Sequence, residues 1–302
     1  MSFTRKIPMA VSGVALALAA LGNLLLPRAE ALRWTCGGLS AVIMCAFLLK
    51  LIFDRKGVKN DLKNPVVFSI LPTSTMALML LCGYAKPLIG VAADVIWYAA
   101  TALHVAIMVM FTARFVIGFK LQNVFPSWFV AGVGITAASV TSPAFNAKPL
   151  GQALFFVGAA LYLALIPLVF NRLIKIKQLP EPARPTLAIV AAPASLLTVA
   201  YIAAFGNTPA WPVYILLILS VLSYIFVTVN MAFLLRLKFS PAYAAFTFPY
   251  VISAIAFKQG NAVLAANGIG FFSAVPAVAE WIAIAAVVYV ILRYIMFFRA
   301  KP

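Results

Sequence analysis

Side chains able to carry acid–base chemistry or to bind a metal are few and scattered in this chain of 302 residues. There are six acidic residues and one histidine, His104, so a cluster of general acids and bases is hard to assemble. The three cysteines lie singly in apolar stretches without a Cys-x-x-Cys pair, which argues against a disulfide framework or a thiolate metal site. We therefore expect no enzyme activity, no metal and no cofactor.

A few ionisable groups lie within or at the ends of apolar stretches, where they raise a functional question by default. Asp94 and Glu280 could carry protons in coupled transport, or they could reach water or pair with each other. Lys258 could attract anions at a pore mouth, although a lysine at a helix end also snorkels towards water. His104 lies deeper, and the alternative to a functional role is a hydrogen-bonded contact between helices.

The composition is that of a polytopic membrane protein. Hydrophobic residues make up 65% of the chain, charged residues 10%, and the mean hydropathy is +1.07. A soluble protein carries about 25% charged residues. The net charge of +17 does not indicate nucleic-acid binding, because Lys and Arg occur in short clusters between apolar stretches, as membrane topology requires.

A membrane-crossing helix needs about 20 mostly apolar residues. Charges, prolines and turn residues divide the chain into ten such segments with short connections, which predicts an all-α integral membrane protein with a single transmembrane domain over 1–302. We number them spans 1 to 10: 7–26, 32–53, 65–84, 88–113, 126–145, 149–171, 185–205, 209–235, 241–257 and 272–298.

The basic residues predict the orientation. With ten spans, one side of the membrane holds both termini and 18 of the 23 basic residues. Cytoplasmic loops carry the excess of Lys and Arg, so we expect both termini in the cytoplasm. Arg5 and Lys6 before span 1 also resemble the start of a signal peptide, but the repeat described next favours a retained helix. The five basic residues of the opposite side are Arg28, Arg33, Lys86, Lys148 and Lys258.

The odd-numbered spans repeat one pattern. Each opens with a proline, at intervals of 57, 61, 59 and 56 residues, the length of a two-helix hairpin. A second proline or glycine follows inside each of them, and none contains Asp, Glu, Lys or Arg. An interior proline kinks a helix, and irregular backbone at membrane depth is tolerated only inside the protein or along a cavity. The pattern therefore predicts an inner ring of five kinked helices around a pathway, with kinks at Gly13, Pro72, Gly132, Gly134, Pro193 and Pro249.

Four segments, in order and at matching spacing, resemble the tellurite-resistance/dicarboxylate transporter family: 68–76 (FSILPTSTM), 126–139 (PSWFVAGVGITAAS), 184–201 (RPTLAIVAAPASLLTVAY) and 245–249 (AFTFP). That family includes bacterial tellurite-resistance proteins, fungal malate permeases and plant slow anion channels. The resemblance implies ten helices as five hairpins in a quasi-five-fold arrangement, commonly a homotrimer with one pore per subunit. It also implies a bacterial inner-membrane location for this chain.

The same resemblance implies a gate, a phenylalanine on the ninth helix that closes the pore midway. The matching residue is Phe248, directly before Pro249, and the nearest rival is Phe246 on a different helical face. A bulky aromatic beside a kink in a narrow uncharged pore blocks it sterically and disfavours water. The alternative is that Phe248 is one of 24 phenylalanines packing a helix interface.

Small polar and aromatic residues of the odd spans are candidates to line the pore. Their hydroxyls could donate to a passing anion, or they could satisfy carbonyls freed at the kinks and join helices. These candidates are Phe68, Ser69, Thr73, Ser74, Thr75, Thr136, Ser139, Ser195 and Thr198.

The absence of cations on the odd spans predicts the mode of transport. A tight dicarboxylate site would need Arg or Lys in paired geometry. Conduction through a channel instead requires that the pore bind the ion weakly enough for the ion to leave. We therefore expect passive permeation of small anions, with the lipid bilayer as the other partner and no nucleic acid. The alternatives are a proton-coupled C4-dicarboxylate (malate) or sulfite carrier, or an exporter of toxic oxyanions that confers tellurite resistance.

Overall fold

The computed structural model describes residues 3–176, 179–206, 209–269 and 274–299. The described residues form helices and no strands, which confirms the predicted all-α class. Lys177 and Lys301, counted above among the basic residues, lie outside the described residues, as do the first two residues of predicted span 10.

The helices follow the predicted spans closely. Segments of 3-10 helix lie at Leu121–Asn123, Ser142–Phe145, Glu181–Ala191 and Pro241–Phe246, and a π-helical turn lies at Thr112–Val116. The α-helices are α1 (Phe3–Lys6), α2 (Val11–Leu25), α3 (Glu30–Phe53), α4 (Arg55–Asp61), α5 (Pro65–Ile70), α6 (Thr73–Ile89), α7 (Val91–Phe111), α8 (Trp128–Val133), α9 (Thr136–Thr141), α10 (Lys148–Lys175), α11 (Ala192–Phe205), α12 (Trp211–Leu234), α13 (Phe248–Ala266) and α14 (Ala274–Arg299).

Seven helical stretches within the described residues are long and apolar enough to cross a membrane, and α2 is a shorter apolar helix. The even-numbered spans are continuous helices, whereas spans 3, 7 and 9 each consist of two shorter helical pieces and span 5 of three. The total of ten crossings stays a prediction, because spans 1, 5 and 9 are not among these seven stretches.

The odd-numbered spans form a closed ring. Helix α2 packs against α6, α6 against α9, α9 against α11, α11 against α13, and α13 returns to α2. The even-numbered helices α3, α7, α10, α12 and α14 pack on the outside of this ring. In the stretch Glu181–Phe205 of the ring 83% of the most apolar window is buried, against 22% in the outer helix α12. The outer helices thus present apolar faces such as Ile218, Leu222 and Val229 to the surroundings, as lipid contact requires.

Prolines set the breaks in the ring, although not as kinks within continuous helices. Pro72 directly precedes α6, and Pro193 and Pro249 lie in the first turns of α11 and α13. A proline is tolerated there, because its missing N–H has no partner in a first turn. The segments before Pro193 and Pro249 wind as 3-10 helix rather than α-helix. The proline side chain therefore does not meet the carbonyl oxygen four residues earlier in α-helical geometry.

The glycine sites divide into different roles, which corrects the sequence interpretation. Gly13 lies in the first turn of α2, which continues unbroken to Leu25, so it is not a kink. Gly132 faces outwards, where an added Cβ would lie 2.9 Å from Leu165 of α10. Gly134 lies at the actual break between α8 and α9.

Candidate permeation pathway

Three cavities follow one another through the centre of the ring of odd-numbered spans. The proximal vestibule, lined by Arg5, Lys50 and Asn64 among others, has a volume of about 570 Å³. The central cavity has about 70 Å³, and the distal vestibule, which includes Arg33 and Lys258, about 590 Å³. Neighbouring cavities share lining residues: Ala10, Val66, Ile70 and Ala242 lie between the proximal and central cavities, and Leu196 and Phe248 between the central and distal cavities.

The central cavity is a narrow apolar constriction to which all five ring members contribute. Its lining is almost entirely aliphatic, aromatic, glycine and proline side chains, and Thr73 and Thr186 supply its only hydroxyls among the described residues. No acidic or basic side chain of the described chain lines it. An ion passing here would lose much of its hydration without a charged partner, which is how an apolar constriction closes a pore to ions.

Phe248 lies at the distal end of this constriction. It is the first residue of α13, it is 7% exposed, and it lines both the central cavity and the distal vestibule. Thr247 before it breaks the helix, with its hydroxyl donating to the Ala244 carbonyl at 2.6 Å. Phe246 is fully buried with its ring 4.7 Å from that of Tyr243 and lines none of the three cavities.

Leu196 is a second side chain at the same boundary, and it was not predicted from the sequence. It follows Pro193 of α11 by three residues. Its position one turn beyond the proline of span 7 is the signal that could have identified it.

Of the nine polar and aromatic candidates, only Thr73 lines one of the three cavities. The other eight line none of the three, and their part in the pore stays a prediction. Phe68 packs its ring 6.0 Å from Phe111, and an added Cβ at Gly158 would lie 2.1 Å from Thr136, which places Thr136 against α10. The remaining six are buried and line none of the three cavities: Ser69, Ser74, Thr75, Ser139, Ser195 and Thr198.

The hydroxyls instead stabilise the breaks, which is the second of the two alternatives given above. Ser74 donates to the Leu71 carbonyl at 2.7 Å. Ser195 lies 2.9 Å from Ser253 of α13, and both contact the carbonyl oxygen of Ala191 at the break in span 7. Hydroxyls placed in this way satisfy carbonyls that a regular helix would pair with backbone N–H groups.

We expect the substitution Ser253→Ala to lower the free energy of unfolding by about 1 kcal/mol, because it removes the bonds joining α11 to α13. Ser223→Ala on the outer helix α12 is the control, since Ser223 donates only to Ser220 of its own helix. Thermal unfolding in detergent measures both. Equal stability of the two variants would contradict the assigned role of Ser253.

The proximal vestibule is basic and has one carboxylate, Asp61, among its described lining residues. Arg5, Lys6, Lys50 and Asp61 line it. The side chain of Lys50 is 3% exposed, and its Nζ lies 3.3 Å from Asp54 and 3.6 Å from Asp61. This lysine is therefore largely compensated and fastens α4 beside the vestibule.

The distal vestibule has Arg33 and Lys258 in its lining and no carboxylate among its described lining residues. Lys258 does not end the ninth helix, because α13 continues to Ala266. Its Nζ lies 3.4 Å from Glu280 of α14, a carboxylate that Arg28 also contacts. From the sequence, Arg33 was predicted only as one of five basic residues opposite the termini.

The groups considered for proton coupling all have partners away from the constriction. Asp94 pairs with Lys86, and Glu280 pairs with Arg28 and Lys258, so the two acids do not pair with each other. The buried His104 makes the expected contact between helices, with Nδ1 2.7 Å from Thr75 Oγ1. Within the described residues no group of His, Cys, Asp and Glu could hold a metal ion.

Comparison with known proteins identifies one family. The family model described as "SLAC1: Voltage-dependent anion channel" matches residues 5–295, which is nearly the whole chain. No curated protein matches the chain.

Proposed function

The chain belongs to the SLAC1 family of voltage-dependent anion channels, and from this premise we propose that small anions cross it passively through the three cavities, with Phe248 as the gate. Membership makes it a multi-pass membrane protein of an anion channel and transporter family, as the resemblance found in the sequence indicated. The gate, the passive mode and the identity of the ion are our proposal.

One observation carries the proposal. Two vestibules of nearly equal volume are separated by a cavity of about 70 Å³ that lacks charged lining residues in the described chain. A coupled carrier needs a substrate site or a proton-bearing group at the point of alternating access. Here Asp94 and Glu280 are held in ion pairs outside the constriction, which favours a gated channel over a proton-coupled malate or sulfite carrier.

Flux from proteoliposomes separates these modes. We expect chloride and nitrate to leave down their gradients at a rate that an imposed pH gradient does not change, and we expect malate to move more slowly. Liposomes without protein give the background leak. Malate uptake that requires a pH gradient, without chloride flux, would refute the channel and support the coupled carrier.

We also propose a homotrimer with one pore per subunit and both termini in the cytoplasm of a bacterial inner membrane. The basic side chains at the proximal vestibule support this orientation, because positive residues favour the cytoplasmic side. Mass measured in a detergent micelle tests the trimer. The sidedness is tested in intact cells by labelling a cysteine introduced at residue 56 or at residue 267, in a variant without the three native cysteines.

A further inference from the structure

The distal vestibule has an arginine whose position is unusually well supported. The Arg33 guanidinium lies 4.5 Å from the centroid of the Tyr84 ring, and its Nε donates to Asn23 Oδ1 at 3.3 Å. Tyr84 in turn donates its hydroxyl to the Ala19 carbonyl at 2.7 Å. Stacking on an aromatic face stabilises a guanidinium without neutralising its charge.

Two glycines make room for this arrangement. An added Cβ at Gly22 would lie 2.4 Å from the Tyr84 hydroxyl, and one at Gly37 would lie 2.6 Å from the Tyr84 ring. Tyr84 is thus wedged between α2 and α3 and presents a fixed face to Arg33. Within the part of the chain that the structure describes, Arg33 has no carboxylate partner.

The second cation of the vestibule is held differently. Lys258 extends from α13 with its side chain 40% exposed, and its Nζ lies 3.4 Å from Glu280 Oε2. The Glu280 side chain is only 6% exposed and lies behind the vestibule wall. Because Glu280 is shared with Arg28, its one negative charge compensates each of two cations only in part.

We propose that the distal vestibule binds inorganic anions weakly, with Arg33 as the main cation and Glu280 as the residue that limits the contribution of Lys258. The inference rests on the proposed function, because it names how the same pathway is loaded with anions. A fixed guanidinium and a half-compensated ammonium at the mouth of an uncharged constriction raise the local anion concentration without binding so tightly that exit stops.

The charges make opposite predictions for two substitutions. Arg33→Gln removes a cation from the vestibule and should lower chloride conductance at low salt by about two- to five-fold. Glu280→Gln keeps the shape and one acceptor but removes the carboxylate charge behind Lys258, and should raise conductance by a similar factor. Both effects should disappear near 1 M salt, where the screening length falls to about 3 Å.

A matched control is available on the same side of the protein. Asp94→Asn makes the same charge change as Glu280→Gln, but Asp94 pairs with Lys86, and neither residue lines the vestibule. We therefore expect Asp94→Asn to leave conductance unchanged. Arg33→Lys keeps the charge and should retain most of the conductance that Arg33→Gln loses.

Currents are best measured in a Phe248→Ala background, in which the proposed gate is removed. A second assay measures anion binding and does not depend on conduction. Thermal stability in detergent is followed as nitrate replaces gluconate at constant ionic strength, because an anion that binds the native state stabilises it. Wild type and Asp94→Asn should show nitrate-dependent stabilisation, and Arg33→Gln should not.

The two assays separate the two proposals. Loss of nitrate stabilisation in Arg33→Gln without any current in the Phe248→Ala background would retain the anion site and refute the gated pore. A large Phe248→Ala current that is unaffected by Arg33→Gln at low salt, with nitrate stabilisation also intact in that variant, would overturn the anion site. If Glu280→Gln fails to fold, the comparison of Arg33→Gln with Arg33→Lys still tests the anion site.

Discussion

Replacing Phe248 by alanine should raise chloride conductance on the order of 10- to 100-fold over wild type. The phenyl ring is 7% exposed and lies at the boundary of the central cavity and the distal vestibule. Its removal widens the junction of these two cavities and admits water, which lowers the cost of dehydrating the ion. Each ~1.4 kcal/mol removed from that barrier is a tenfold gain in rate.

The neighbouring phenylalanine supplies a matched control. Phe246 is fully buried beside Tyr243, away from all three cavities, so Phe246→Ala should reduce stability by about 3–5 kcal/mol and leave conductance low. Planar-bilayer recordings of both variants, with thermal unfolding of each, measure the two effects. Equal conductance of Phe248→Ala and wild type, in protein of normal stability, would exclude Phe248 as the gate.

Leu196 allows a graded version of the same experiment. It lies at the same boundary but lacks a ring, so Leu196→Ala should raise conductance less than Phe248→Ala does. An increase larger than that of Phe248→Ala would mean that the gate is formed mainly by α11.

The architecture could be predicted from the sequence because it depends on properties that each residue carries alone. Length and apolarity identify seven of the predicted spans in the structure as well. The prolines that open the odd spans identify the hairpin period, and the absence of charge from those spans identifies the buried ring, which the structure closes from α2 through α13. The family resemblance then supplied Phe248, which no count of phenylalanines could have selected.

The facing of individual side chains could not be predicted, because the ring helices are broken. A helical wheel assumes one continuous rotation of 3.6 residues per turn. The 3-10 segments Glu181–Ala191 and Pro241–Phe246 turn every three residues instead, so the phase beyond each break is shifted. In span 3, by contrast, Thr73 and Thr75 lie two residues apart on the regular helix α6 and face different sides: Thr73 lines the central cavity, and Thr75 contacts His104 on α7.

Arg33 was not predicted at the vestibule, and Lys258, although predicted at a pore mouth, was misplaced at a helix end, for a related reason. Lys258 was taken as a helix end because the apolar run stops there, but α13 continues for two further turns. Arg33 is in the first turn of an outer helix and reaches the vestibule only because Gly22 and Gly37 admit Tyr84 between α2 and α3. Such a contact depends on how two helices approach each other, which neither helix reveals alone.

The break at Gly134 leads to the second large prediction. An added Cβ there would lie 2.3 Å from the Val130 carbonyl oxygen, 2.9 Å from Met76 Sδ and 3.1 Å from His104 Cε1. The Met76 side chain can move, but the Val130 carbonyl belongs to the backbone of α8, which ends at Val133, directly before Gly134. We expect Gly134→Ala to destabilise the protein by about 1–3 kcal/mol and to lower the yield of folded material, because overpacking displaces backbone.

Gly13→Ala is the control that distinguishes backbone strain from narrowing of the pathway. Gly13 also lines the central cavity, but its added Cβ would lie 3.4 Å from Ala244 Cβ, an ordinary contact. Both variants add one methyl group to the same small cavity, so both should reduce conductance in a Phe248→Ala background, whereas only Gly134→Ala should lower the unfolding temperature. Equal unfolding temperatures would show that the break in span 5 tolerates a side chain, and the position would then matter for the width of the pathway alone.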